Sequence, residues 1–194
     1  MRPARPVPYE LHAHGEVNFG DDTVELAFGN SGKAAAVFHV RSGNGDGPWT
    51  YTVGAGDELS DTWSFGNGQS AYDLSVYGAN GFVRTFKGNL RSHRRNDLSI
   101  RAHYHRETGG LTLEVRNAGF ANSNIQIANA YGRRTTTHAL NPGETLRLPF
   151  QLEASFGWYD LTIQADGEPA FERRLAGHVE TGNDSVSDPA LGRP

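Results

Sequence analysis

The feature that constrains this chain most is that its sequence runs twice. Residues 9–90 align with 98–179 using two small length changes, both at places that read as hairpin turns. Val24-Glu25-Leu26-Ala27-Phe28-Gly29-Asn30-Ser31-Gly32 matches Leu111-Thr112-Leu113-Glu114-Val115-Arg116-Asn117-Ala118-Gly119, and Tyr72-Asp73-Leu74-Ser75-Val76 matches Tyr159-Asp160-Leu161-Thr162-Ile163. Nearer the end of each copy, Phe82-Val83-Arg84 matches Phe171-Glu172-Arg173, and Gly88 matches Gly177. Matches spread along the whole length indicate duplication of a domain, whereas a single shared motif would not. The implied organisation is a leader, 1–8; a first repeat, 9–90; a basic linker, 91–97; a second repeat, 98–179; and an extended or partly disordered tail, 180–194.

Each repeat is dominated by period-two alternation. Val24, Leu26 and Phe28 alternate with Glu25 and Ala27, and Tyr72, Leu74 and Val76 with Asp73 and Ser75; the second copy repeats both patterns. No apolar stripe of helical period survives three turns without a Gly or Pro. Seven strand-like segments fit the first repeat, near 9–17, 23–29, 35–41, 48–53, 58–65, 71–78 and 82–88, separated by turns such as Asn30-Ser31-Gly32 and Asn80-Gly81. Seven short antiparallel strands in about 85 residues predict an all-β fold of two tandem immunoglobulin-like antiparallel β-sandwich domains. Tyr72 and Tyr159 open the sixth strand, where such folds place a tyrosine whose hydroxyl bonds back to upstream backbone. Phe28, Phe38, Trp63 and Phe86 are the expected first core, and Val115, Ile125, Ile127, Phe150 and Leu175 the second.

Composition then removes whole classes of function. There are no cysteines, so a disulfide framework, a thiolate metal site and a cysteine nucleophile are all unavailable. A net charge of -4 argues against nucleic acid as the partner. The longest apolar run, Ala34 to Phe38, is far too short to span a bilayer, and the start has no apolar core of a signal peptide. Met1 before Arg2-Pro3 reads as an added or alternative start.

Few side chains suggest chemistry. His12 and His14 share a strand face, as do His103 and His105, but only His14 and His103 are equivalent positions, so the copies share no ligand set and no metal is expected. Ser42-Gly43-Asn44-Gly45-Asp46-Gly47 lacks the helix and Lys-Ser/Thr pair of a phosphate loop and reads as a long hairpin. No catalytic residue and no cofactor is assigned. The exposed feature of most interest is basic: Arg91, Arg94 and Arg95 in the linker, with His93 between and Arg101 and Arg106 following, could meet an anionic head group or an acidic partner domain. Trp49, Tyr51 and Tyr131, if exposed, could instead stack on sugars, making the chain an autonomous carbohydrate- or cell-surface-binding module.

Longer stretches carry a resemblance. Pro6-Val7-Pro8-Tyr9-Glu10-Leu11-His12-Ala13-His14-Gly15, the segment 26–40, Gly157-Trp158-Tyr159-Asp160-Leu161-Thr162 and above all the ending from Phe171 to Pro189 resemble the duplicated C-terminal domains of bacterial phosphocholine-preferring phospholipase C. The resemblance implies a secreted or periplasmic parent, exported by a twin-arginine signal, that hydrolyses phosphatidylcholine or sphingomyelin. It also implies that metal, nucleophile and catalytic residues lie in an N-terminal phosphoesterase domain that nothing here matches. On that basis these residues are expected to be a non-catalytic accessory region that packs on the phosphoesterase domain or assists engagement of a phospholipid surface.

Overall fold

A computed structural model describes residues 2–65, 68–91 and 97–190. The first repeat contributes β2 (Leu11–Asn18), β3 (Thr23–Asn30), β4 (Ala36–Ser42), β5 (Trp49–Val53), β6 (Glu58–Ser64), β7 (Ala71–Tyr77) and β8 (Val83–Asn89). Its counterpart contributes β9 (Leu98–His105), β10 (Gly110–Asn117), β11 (Ser123–Asn129), β12 (Arg134–Leu140), β13 (Thr145–Phe150), β14 (Trp158–Ala165) and β15 (Glu168–His178). Two short strands, β1 (Pro3–Ala4) and β16 (Ser185–Val186), come from the leader and the tail. The described residues contain no α-helix, only a 3-10 turn at Glu153–Ser155. All seven expected strands of the first repeat are present, each within two residues of its expected position.

Alternation explains why these segments are strands. In β4, Ala36, Phe38 and Val40 are buried while Val37, His39 and Arg41 face out. The repeated Asn-x-Gly has an equally local cause. The buried Asn30 amide donates to Ala34 O (2.8 Å) and Val53 O (3.2 Å), and Asn117 donates to Ala121 O (2.8 Å) and Leu140 O (3.1 Å). Each Asn side-chain oxygen accepts the N–H two residues on, from Gly32 and Gly119. One buried amide thus closes the turn after β3 or β10 and ties it to the opposite sheet.

Each repeat is a sandwich of three strands on four, with its own core: Phe28, Phe38 and Leu74 in the first, Leu113, Ile125 and Ile163 in the second. Burying such a side chain contributes roughly 1.5–3 kcal/mol. Phe150 departs from the expected core by being only partly buried at its edge.

The two sandwiches are joined as well as adjacent. β8 pairs antiparallel with β15, which fuses the larger sheets into one of eight strands, β12-β11-β14-β15-β8-β7-β4-β5. Thr85 lies opposite Arg174, Phe86 opposite Arg173 and Arg84 opposite Leu175. Thr85 and Arg174 are themselves equivalent in the repeat, so the copies meet about a pseudo-two-fold axis through that pair. The smaller sheets, β2-β3-β6 and β13-β10-β9, stay separate and turn their edge strands β2 and β9 toward each other.

Candidate functional site

The repeated Phe-x-Arg acquires its meaning at this junction. Arg84 and Arg173 are 3% and 4% exposed and lie between the two cores. Each guanidinium rests on the phenylalanine two residues before it, at 4.2 Å from Phe82 and 4.5 Å from Phe171. Each then crosses to the other repeat. Arg84 donates to Ala176 O (2.9 Å) and Tyr159 Oη (2.9 Å), and Arg173 donates to Lys87 O (2.6 Å) and Tyr72 Oη (2.7 Å). This corrects the expectation for the paired tyrosines: instead of bonding upstream backbone, each hydroxyl accepts from the other copy's arginine. Gly88 and Gly177 leave room for those rings, since a Cβ at Gly177 would stand 2.9 Å from Tyr159 Oη.

The symmetry breaks at one pair of positions. Tyr104 on β9 donates to Leu11 O (3.1 Å), accepts from Arg84 (2.6 Å) and meets Tyr159 Oη at 2.9 Å. With its own proton on Leu11, it takes the Tyr159 proton. Its equivalent on β2 is Val17, since Tyr104 lies opposite Leu111 and Val17 opposite the matching Val24, and two residues before it stands Gly15, where a Cβ would meet Phe86 at 2.8 Å. Gly15 is equivalent to Ala102 and Phe86 to Leu175, so the copy with the larger core side chain has the smaller residue on its edge strand. Burial pushes the Tyr104 hydroxyl well above the usual phenol range. At Arg84 burial opposes the charge, but the Tyr104 and Tyr159 hydroxyls more than offset it.

Between β2 and β9 run two open hollows. One, of about 390 Å³, is lined by His12, His14, Arg101 and His103; the other, of about 470 Å³, by Gly15, Asp97, Arg116 and Arg173. Their charges are largely spent on each other, with Arg101–Glu16 and Arg106–Glu10 both at 3.5 Å across the seam. His12 contacts Ser31 and Glu10, and burial lowers its pKa against the opposing pull of Glu10. Burial, then Arg101, lowers that of His14. Among the described residues no three metal-ligating side chains converge.

The other residues singled out in the sequence are scattered. Arg91 follows β8, exposed and 3.9 Å from Asp22, while Arg94 and Arg95 lie outside the described residues. The sugar-stacking trio is not a surface. Trp49 and Tyr51 alternate with Thr50 and Thr52 on β5 and pack against the first core, Trp49 edge-on to Trp63 at 5.5 Å. Tyr131 is half-buried, with its hydroxyl 2.5 Å from the Asp188 carboxylate.

The leader and tail, which lack periodicity, form a tied junction. β1 pairs with β16, Trp158 Nε1 donates to Val186 O (3.0 Å), and Arg2 N donates to Ser187 Oγ (3.1 Å). Beneath them Glu180 is buried. Its carboxylate accepts from Val7 N (3.2 Å) and Asn80 Nδ2 (2.5 Å) and lies 2.8 Å from His178 Nδ1. The other His178 nitrogen faces Phe156 O and Ser185 Oγ, both at 3.0 Å. One acid thereby holds leader, first repeat and second repeat together.

With this geometry in hand, comparison is decisive. The family model described as bacterial phospholipase C, C-terminal domain, matches twice, over residues 3–89 and 98–178. This chain belongs to that family. It is 41% identical over 98% of its length to the non-hemolytic phospholipase C of Burkholderia pseudomallei, and 36% identical over 99% to that of Pseudomonas aeruginosa. The hemolytic phospholipase C of Pseudomonas aeruginosa is 34% identical over 98% of the chain. The chain spans only 28 to 30% of the length of these relatives, and the part matched is the C-terminal domain and not the catalytic part. Among solved structures, red sea bream transglutaminase aligns with 90% of this chain and 32% of its own at 14% identity and a TM-score of 0.30, too remote to bear on function. No helix among the described residues is long and apolar enough to cross a membrane.

Sequence reasoning missed the interlock and the Glu180 junction. The repeated Phe-x-Arg was the available signal for the first, because an arginine at an inward-facing strand position needs a partner. The second has no counterpart in the repeat, so nothing in the duplication exposes it.

Proposed function

We propose that this chain is the non-catalytic C-terminal accessory region of an exported, secreted or periplasmic bacterial phospholipase C, and that it packs on a preceding phosphoesterase region and steadies it. The parent would hydrolyse phosphatidylcholine or sphingomyelin. The observation that carries this reading is the match to the C-terminal domain alone, over nearly the whole chain yet under a third of each relative. The reciprocal Arg84–Tyr159 and Arg173–Tyr72 bonds support it physically, because they make two small sandwiches one stiff body suited to bracing a neighbour. We retain the division at 9–90, 91–97 and 98–179 as part of the proposal, with Arg91, Arg94 and Arg95 as cations for an anionic head group or for the partner region. The test compares the full-length protein with one ending before Arg2, on soluble p-nitrophenylphosphorylcholine. Removal of the accessory region should lower the melting temperature of what remains, and the 194-residue chain alone should release no nitrophenol. Unchanged stability on removal, or turnover by the chain alone, contradicts the reading.

A second reading, engagement of the lipid surface, is favoured by Phe120. It is 100% exposed at the tip of the β10–β11 loop, where the first repeat has Lys33. Sedimentation with phosphatidylcholine vesicles that falls at least threefold on Phe120→Ser would support it; equal sedimentation would remove it.

A further inference from the structure

Resting on the reading that a preceding region packs on this chain, we propose that the region seats on the Phe156 corner of the second repeat, where leader and tail are tied down. Phe156 ends the 3-10 turn with φ 57, a left-handed conformation that glycine or asparagine adopts far more readily than a residue with a ring. The strain is not repaid by burial, since the ring is 46% exposed. A strained backbone that holds an aromatic side chain outward points to a partner outside the fold. In the first repeat the position three before the corner tyrosine is the polar Gln69, so only one of the two sandwiches presents such a corner.

Beside the ring is a hollow of about 330 Å³, lined by Leu152, Phe156, Val179, Ser185 and Val186. Its tail wall is β16, the strand that pairs with β1, so the leader runs beside this hollow as far as Arg2. The Phe156 carbonyl is in turn bound by His178 and Ser185, so the corner and the junction are one rigid piece. The relatives are more than three times as long as this chain, and the family is named for its C-terminal position. Whatever precedes Arg2 in the same polypeptide is the occupant nearest to hand, and an apolar patch on it is the chemistry that fits. Phe120, the other exposed phenylalanine among the described residues, stands at the opposite end of the second sandwich, away from the leader.

Amide hydrogen exchange in the full-length protein and in the chain alone tests this. Attachment of the preceding region is expected to slow exchange at least tenfold over residues 152–158 and 183–187. Phe156→Gly should abolish that slowing in the full-length protein while raising the melting temperature of the chain alone, because glycine accepts the left-handed φ. No slowing at any residue of the chain overturns the packing reading itself. Slowing confined to other surfaces, or slowing at this corner that survives Phe156→Gly, leaves that reading standing and overturns the docking at Phe156.

Discussion

The two repeats share a fold, a register and a pair of crossed arginines, yet they are not equal partners at the seam. Arg84 serves two hydroxyls, Tyr104 and Tyr159, and Arg173 serves one, Tyr72. The difference traces to a single pair of equivalent positions, Tyr104 and Val17; beside it Gly15 and Phe86 stand where the second copy has Ala102 and Leu175. A duplicated domain can therefore keep its strand pattern while reassigning its polar contacts, and at Gly15 a smaller edge-strand residue makes room for the larger Phe86.

The largest expected effect breaks the comparison outright. Arg84→Ala strands two buried hydroxyls and a carbonyl and should cost about 3–5 kcal/mol, against about 2–3 kcal/mol for Arg173→Ala, by urea unfolding. Equal losses would mean that Tyr104 adds nothing. The wild-type repeats should melt in one transition, and the double variant in two. Next, Gly15→Ala forces a methyl against Phe86 and should cost about 1–3 kcal/mol, an effect that Phe86→Leu partly reverses; additive losses would sink the compensation argument.

A smaller effect comes from pH. The folded pKa values of His12 and His14 lie below the ordinary 6.5 because burial disfavours their charged forms, so the unfolded chain takes up protons first. Their contribution is fully present above pH 6.5 and is lost as pH falls through the depressed folded values. Both rings are partly solvated, so a fall of only about 1–3 °C in melting temperature is expected between pH 7.5 and 5, and His12→Asn with His14→Asn should flatten it. The smallest effect is that of Arg91→Ala, whose exposed 3.9 Å pair with Asp22 should be worth less than about 0.5 kcal/mol.

The strands and both cores were legible because burial imposes alternation on every strand, whatever its neighbours do. Trp49 and Tyr51 show the limit of reading residue type before pattern. Aromatic character suggested a sugar-binding surface, but the intervening Thr50 and Thr52 already say which side faces water. Arg84 and Arg173 were visible as a repeated motif, yet a strand pattern cannot say that the partner lies in the other copy. The junction at Glu180 was the least legible, because its partners Val7, Asn80 and His178 are set by where the chain ends fold back and not by any local period.

The meeting of β8 with β15 has a consequence for how such a molecule could arise. Two equivalent strands running antiparallel through a self-equivalent pair is the arrangement that a homodimer of one sandwich would adopt, each subunit hiding the other's sticky margin. In such a dimer a change at one position is made twice, so a tyrosine in one copy with a valine at the same place in the other is forbidden. Linking the subunits in one gene lifts that ban, and the lopsided pair at 17 and 104 is the kind of divergence that a covalent descendant of the dimer can hold.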